Sequence, residues 1–256
     1  MPDMKRRMLL QGVLGAAAVL AVTGDALALH SPRSARHAQP QRRVRWSRPV
    51  PEDVANPAYA AANKAALAGP ANARRVVMMG DSITYNWEKF DRPFFKQLGL
   101  LGRGIGGETA AQMLLRFEPD VVKLKPQAVH VMAGTNDLAA LRRPYDADVT
   151  RKSIEAMAEQ AAASGVRVIL ASVPPATGFR WGKPAEVALK DLNAWINDLC
   201  ARKSYTYCDY WPVLRGTGDQ LKPGFSRDKV HPNAQAYAAM EPVLSAAIDS
   251  ALKRQP

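Results

Sequence analysis

Cysteine is nearly absent from this 256-residue chain, which holds only Cys200 and Cys208. Two cysteines exclude a disulfide-built scaffold and make a poor metal site. They leave one bridge in an oxidising compartment, or two buried thiols, as the alternatives. Histidine is also sparse, with four in all, and the loose carboxylates stand at no ligand spacing from them; no metal is expected. Aromatic residues make up 7% and do not interleave with basic residues in the body of the chain, so nucleic-acid binding is not expected. No apolar run reaches the roughly 20 residues needed to cross a bilayer, so the mature chain is expected to lack a stable membrane span.

Positive charge is plentiful but unevenly placed. Residues 1–50 hold nine Lys/Arg against Asp3 and Asp25, which accounts for +7 of the net +12. Lys5-Arg6-Arg7 is followed by an apolar stretch over residues 8–23, and Ala26-Leu27-Ala28 fits an A-x-A cleavage site. Residues 1–28 therefore read as a signal peptide. Arg6-Arg7-Met8-Leu9-Leu10 fits a twin-arginine signal, with the general secretory route as the alternative. Export machinery is the partner this leader implies, and a periplasmic or secreted product is expected after cleavage. Residues 29–51 are rich in Arg, Pro, Ser and Gln and read as a flexible basic linker. One domain is expected over residues 52–256, a length that suits a single sizeable core.

The body alternates. An Ala-rich helix is expected over 54–67, ended by Gly69-Pro70. Strands are expected at 75–79, 98–103, 128–133, 166–172 and 205–209. Helices are expected at 109–117, 149–163, 185–201 and 234–252. This alternation indicates an α/β fold, a parallel sheet covered on both faces in three αβα layers, with strand order left open.

Four short motifs follow in order, each after an expected strand or in a late loop. They are Gly80-Asp81-Ser82, Arg103-Gly104-Ile105-Gly106-Gly107, Gly134-Thr135-Asn136-Asp137, and Asp228-Lys229-Val230-His231-Pro232-Asn233. In a parallel sheet the strand C-termini share one edge, so these segments can meet there. Ser82 offers a hydroxyl that needs a base to become a nucleophile. His30 and His37 fall in the leader or linker, and His130 sits within a strand, where a satisfied core histidine is the plainer reading. His231 remains as the base. Asp228 precedes it by three residues, a spacing from which a carboxylate can reach the imidazole. A Pro-started helix entrance would explain Asp228 and His231 equally well, and both readings can hold together. Gly104 lets backbone approach a reacting oxygen, and Asn136 supplies an amide of the kind found in oxyanion holes, or a turn residue.

Taken as an ordered set, these motifs resemble the SGNH (GDSL) hydrolase superfamily, over most of the chain from Arg74 onward. The resemblance implies a flavodoxin-like αβα sandwich and ester hydrolysis without a cofactor. Ser82, Asp228 and His231 would be catalytic, and the Ser82 N–H, the Gly104 N–H and the Asn136 amide would form the oxyanion hole. Where family members often carry Asn two residues before the second glycine, this chain has Gly102. The absence of Gly-x-Ser-x-Gly argues against the ordinary α/β-hydrolase fold.

The expected function is a serine esterase acting through an acyl-enzyme on short acyl groups of a carbohydrate or lysophospholipid-like ester. A small-molecule or polysaccharide ester is thus the expected substrate. Two alternatives stand beside it. Gly102 to Gly107 satisfies G-x-G-x-x-G and would suit a nucleotide-binding oxidoreductase, although the acidic residue that this fingerprint needs is missing from the next strand. A non-catalytic binding domain of the same fold is the other. Trp87, five residues past Ser82, and Trp181, in the loop after the fourth strand, are candidates to line the substrate pocket, with core packing as the competing reading.

Overall fold

A computed structural model describes residues 55–140, 144–179 and 183–253. The leader, the whole of the linker, and Trp181 fall outside the described residues. In chain order the elements are α1 (Ala60–Ala68), β1 (Val76–Gly80), α2 (Ser82–Phe90), α3 (Arg92–Leu98), β2 (Leu100–Gly104), α4 (Ala110–Leu115), α5 (Phe117–Asp120), β3 (Ala128–Met132), α6 (Thr135–Leu138), α7 (Ala147–Ala163), β4 (Arg167–Ala171), α8 (Lys183–Lys203), β5 (Thr206–Cys208), α9 (Trp211–Leu214) and α10 (Ala234–Lys253).

The five strands form one sheet in the order β2-β1-β3-β4-β5, and every neighbouring pair is parallel. All five residues of β1 and of β3 are buried, as expected of central strands with helices on both faces. Alternate residues serve opposite faces. Val77, Met79, Val129, Val131, Val168 and Leu170 pack with α4, α5, α7 and α8. Val76, Met78, Ala128 and Ile169 pack with α2, α3 and α10. The three-layer αβα expectation therefore holds, with the flavodoxin-like strand order. Cys200 belongs to the first of these clusters and Cys208 to the second.

The expected strands all form, with ends shifted by one or two residues. The second begins at Leu100 rather than 98, because α3 runs to Leu98 and Gly99 ends it in the left-handed conformation at φ 65°. The pattern did not indicate α2 and α3. They are short, they meet at Asp91, which caps α3 through the Phe94 amide, and α2 is rich in weak helix formers.

This order has a functional consequence. From β1 the chain crosses to β2 on one side and then returns to β3 on the other. The C-terminal ends of β1 and β3 therefore border the crevice where strand order reverses. Ser82 follows β1 with only Asp81 between, and Asn136 lies in the turn of helix after β3.

Candidate active site

Ser82 is the first residue of α2, so its hydroxyl stands at the positive end of the helix dipole. Gly80 makes the entry turn possible, since a Cβ there would collide with the Thr84 side chain. Asp81 is the N-cap, and its Oδ1 accepts from the Ile83 amide at 2.8 Å. From the far end of the chain His231 comes up to Ser82, with Nε2 2.9 Å from Oγ. Its Nδ1 lies 2.6 Å from Asp228 Oδ2. Asp228 Oδ1 accepts in turn from the amides of His231 at 2.8 Å and Val230 at 3.0 Å, and from Ser226 Oγ at 3.1 Å. Partial burial raises the Asp228 pKa, but the His231 and Val230 amides and the imidazole outweigh it and hold the carboxyl at about 2.

The loop that carries this pair is anchored by α10. Asn233 Oδ1 accepts from the Ala236 amide at 3.1 Å, and its Nδ2 donates to the Gly224 carbonyl at 2.6 Å. One turn into α10, the Tyr237 hydroxyl donates to the Ile83 carbonyl at 2.8 Å. That bond ties α10 to the first turn of α2 and so fixes the His231 loop relative to Ser82.

Asn136 lies beside the same turn. Its Nδ2 donates to the Glu108 carbonyl at 2.9 Å and sits 3.3 Å from Asp81 Oδ2. The neighbouring Asp137 points the other way and accepts from the Ala110 amide at 2.9 Å and Thr150 Oγ1 at 3.0 Å. Asp81 is wholly buried, and burial pushes its carboxyl up to about 6 against the hydrogen bonds from Ile83 and Thr135. Gly104 ends β2 in the core, where a Cβ would collide with the Tyr85 amide and the Asp81 carbonyl. Gly107 differs: it adopts φ 81°, and the space where a Cβ would stand is open. It immediately precedes Glu108, the residue whose carbonyl holds Asn136.

With that geometry in place, comparison with known proteins is decisive. Residues 78–239 match the model of the GDSL-like Lipase/Acylhydrolase family, well over half of the chain. The chain belongs to this family. A GDSL-like lipase from Bacteroides thetaiotaomicron is 39% identical, with a TM-score of 0.70 over 76% of this chain and 97% of that one. A Bacteroides fragilis protein, provisionally described as an acylhydrolase, is 34% identical with a TM-score of 0.73 over 80% and 100%. The fold is shared further with a catalytic mutant of an acetylxylan esterase from Geobacillus stearothermophilus, 17% identical at a TM-score of 0.55 over 71% and 96%. Among curated proteins, the uncharacterized lipoprotein YqeF of Bacillus subtilis is 40% identical over 80 residues. That match covers 26% of this chain and spans about a third of YqeF.

Within this GDSL-like member, not every residue singled out from sequence reaches the site. Trp87 does not line a pocket. It is fully buried, its ring centroid lying 5.4 Å from that of Tyr237 and 5.9 Å from that of Tyr210. Five residues along α2 its side chain turns to the face that packs on α10, so core packing wins. Trp181 lies outside the described residues. His130 is a core histidine whose Nε2 is 3.0 Å from the Tyr210 hydroxyl, and burial lowers its pKa to about 3, so it stays neutral. In the G-x-G-x-x-G stretch, Gly102 faces the Glu88 side chain and Gly104 the backbone of α2. These two glycines serve helix packing, which removes the support for a phosphate cradle. Among the described residues no group of three or more His, Cys, Asp or Glu is placed to hold a metal ion, and no helix is long and apolar enough to cross a membrane.

Proposed function

We propose that the chain is a serine ester hydrolase that works through an acyl-enzyme. The observation that carries this reading is the continuous contact from Asp228 through His231 to Ser82, at 2.6 and 2.9 Å, on the crevice where the sheet reverses its order. Asp228 fixes the imidazole with its proton on Nδ1, which leaves Nε2 to accept the Ser82 proton as Oγ attacks the ester carbonyl. The same proton then goes to the leaving alcohol, and a water repeats the sequence to release the acid.

The tetrahedral oxyanion would be met by the Ser82 N–H, the Asn136 amide and a backbone N–H from the turn that begins at Gly104. Asn136 Nδ2 donates to the Glu108 carbonyl at 2.9 Å and, over a longer 3.3 Å, to Asp81 Oδ2; the hydrogen on the longer bond is the one a substrate oxygen would draw away. Within the turn we assign this donor to Gly107, the neighbour of the residue whose carbonyl holds Asn136, because Gly104 is packed under α2.

The side chains of His231 and Asp228 are 39% and 56% exposed, which supports an open crevice able to take a bulky alcohol. The substrate proposed for it carries short acyl groups on a carbohydrate or a lysophospholipid-like alcohol, and the acetylxylan esterase of like fold favours the carbohydrate. A panel of p-nitrophenyl esters of rising acyl length, run beside acetylated xylan and a lysophospholipid, tests this choice. Short acyl preference with release of acetate from xylan supports it, and preference for long acyl chains overturns it. For the leader, we propose export before cleavage near Leu29; a purified envelope fraction whose N-terminus is Met1 would contradict that.

A further inference from the structure

Arg116 has no exposed surface, and every donor group of its guanidinium is directed at the back of the site. Nε donates to Glu108 Oε2 at 2.7 Å and Nη1 to Asp120 Oδ2 at 2.9 Å. Nη2 donates to the Arg103 carbonyl at 2.9 Å and lies 3.3 Å from the Gly80 carbonyl. One side chain thus ties together the ends of β1 and β2 and the loop that follows β2. A buried cation between two carboxylates is a weak source of stability, since desolvation offsets much of its attraction. What it does provide is a fixed location for Glu108.

Glu108 connects this cluster to the chemistry. Its side chain is held by Arg116, and its backbone carbonyl is the acceptor that orients the Asn136 amide at 2.9 Å. Gly107 is the residue just before it. The start of the same loop is held by Tyr59, whose hydroxyl donates to the Gly104 carbonyl at 2.6 Å. The Tyr59 ring covers the Arg103 guanidinium at 4.7 Å. Burial pushes the Tyr59 hydroxyl up to about 12, so it remains a donor at neutral pH. Tyr59 lies before β1, outside the residues 78–239 that match the family.

We propose that Arg116 is a positioning residue for the oxyanion hole: through Glu108 it sets the loop that carries Gly107 and the carbonyl that orients Asn136, while Tyr59 braces the start of that loop. The proposal rests on the ester-hydrolase reading above. Neither side chain touches the reacting atoms.

The test compares Arg116→Lys, Tyr59→Phe, Asn136→Ala and the double variant Arg116→Lys/Asn136→Ala with the parent. The readouts are kcat and KM on p-nitrophenyl acetate, inhibition by phenylboronic acid, and circular dichroism to establish folding. A boronic acid forms a tetrahedral adduct on an activated serine, so its affinity reports the oxyanion hole rather than substrate binding. Arg116→Lys keeps the charge but cannot hold four partners at once. It should lower kcat by roughly 10- to 100-fold with KM within about twofold, because small misplacements of this kind cost that much. Boronate affinity should fall by a similar factor. Added to Asn136→Ala, the same change should cost less than about threefold, since the amide it orients is already gone.

A folded Arg116→Lys with the parent kcat overturns the proposal, as does a kcat loss that multiplies undiminished onto Asn136→Ala. If Arg116→Lys does not fold, Tyr59→Phe decides. This half-buried residue loses one hydroxyl, and it should lower kcat about 3- to 10-fold at unchanged KM; a parent kcat there overturns the proposal. Ser82→Ala separates the two levels. Should it keep turnover, the ester-hydrolase reading fails whatever Arg116 does.

Discussion

Replacing Asp81 by asparagine should abolish a loss of stability that the parent suffers as pH rises toward neutral, although it alters the residue next to the proposed nucleophile. Asp81 is wholly buried, and its carboxyl is pushed up from 3.8 to about 6 because desolvation outweighs its hydrogen bonds. The unfolded chain releases this proton near the ordinary value, whereas the folded chain keeps it until about pH 6. Between these two values the native state holds more protons, so stability falls as pH rises through the window. Above it the full cost of the buried charge is present, about 3 kcal/mol for a shift of this size. Asparagine caps a helix about as well as aspartate, keeps Oδ1 as an acceptor for the Ile83 amide and does not ionise; its NH2 replaces an acceptor of the Asn136 amide, a cost that is the same at every pH. Urea denaturation of parent and Asp81→Asn at intervals from pH 4 to 8 measures the difference, in which shared titrations cancel. Relative to the difference at pH 4, the variant should gain about 3 kcal/mol by pH 8, with the change falling between the two carboxyl values. A gap that stays constant from pH 4 to 8, or that moves against the variant, would refute the reasoning.

Other expectations follow from the same geometry. Asp228 stays charged down to about pH 2, so its own protonation should not limit the parent enzyme in any ordinary assay. Asp228→Asn should lower kcat by roughly 10²–10⁴ with KM little changed, because the imidazole loses the acceptor that holds its proton on Nδ1. A parent-like kcat would mean that another group orients His231. Gly104→Ala should cost more than about 2 kcal/mol in a thermal melt, since its methyl meets the backbone of α2. Gly107→Ala should cost only about 1 kcal/mol for its left-handed φ, yet lower kcat. The reverse pattern would return the donor role to Gly104. Trp87→Phe should lower the melting temperature and leave KM within about twofold, because the ring lies in the core; a raised KM at unchanged stability would restore Trp87 to a pocket.

The sheet was legible because β1 and β3 are buried on both faces and leave continuous apolar runs between turn signals. Strand order was not, since parallel crossovers look alike in sequence. His231 emerged because the other three histidines had no place at the strand-end edge, and the three-residue step to Asp228 is a local relation that sequence displays. The misses share a cause: they depend on which way a side chain or carbonyl points. Trp87 is near Ser82 along the chain but on the opposite side of α2. The Tyr237 hydroxyl reaches the Ile83 carbonyl across 154 positions, and the Glu108 carbonyl that orients Asn136 is backbone, with no residue-type signature. The glycine run advertised a phosphate site, whereas Gly102 and Gly104 answer to the Glu88 side chain and the backbone of α2.

The central claim is that Ser82 forms a covalent acyl intermediate, and the most direct measurement is to trap it. The parent and Ser82→Ala are mixed with excess p-nitrophenyl acetate, quenched in acid within the first turnovers, digested and read by mass spectrometry. The account predicts a single acetyl group on the parent peptide that contains Ser82, and neither adduct nor turnover in a folded Ser82→Ala. An adduct on another residue, or a Ser82→Ala that hydrolyses the ester at the parent rate, would contradict it.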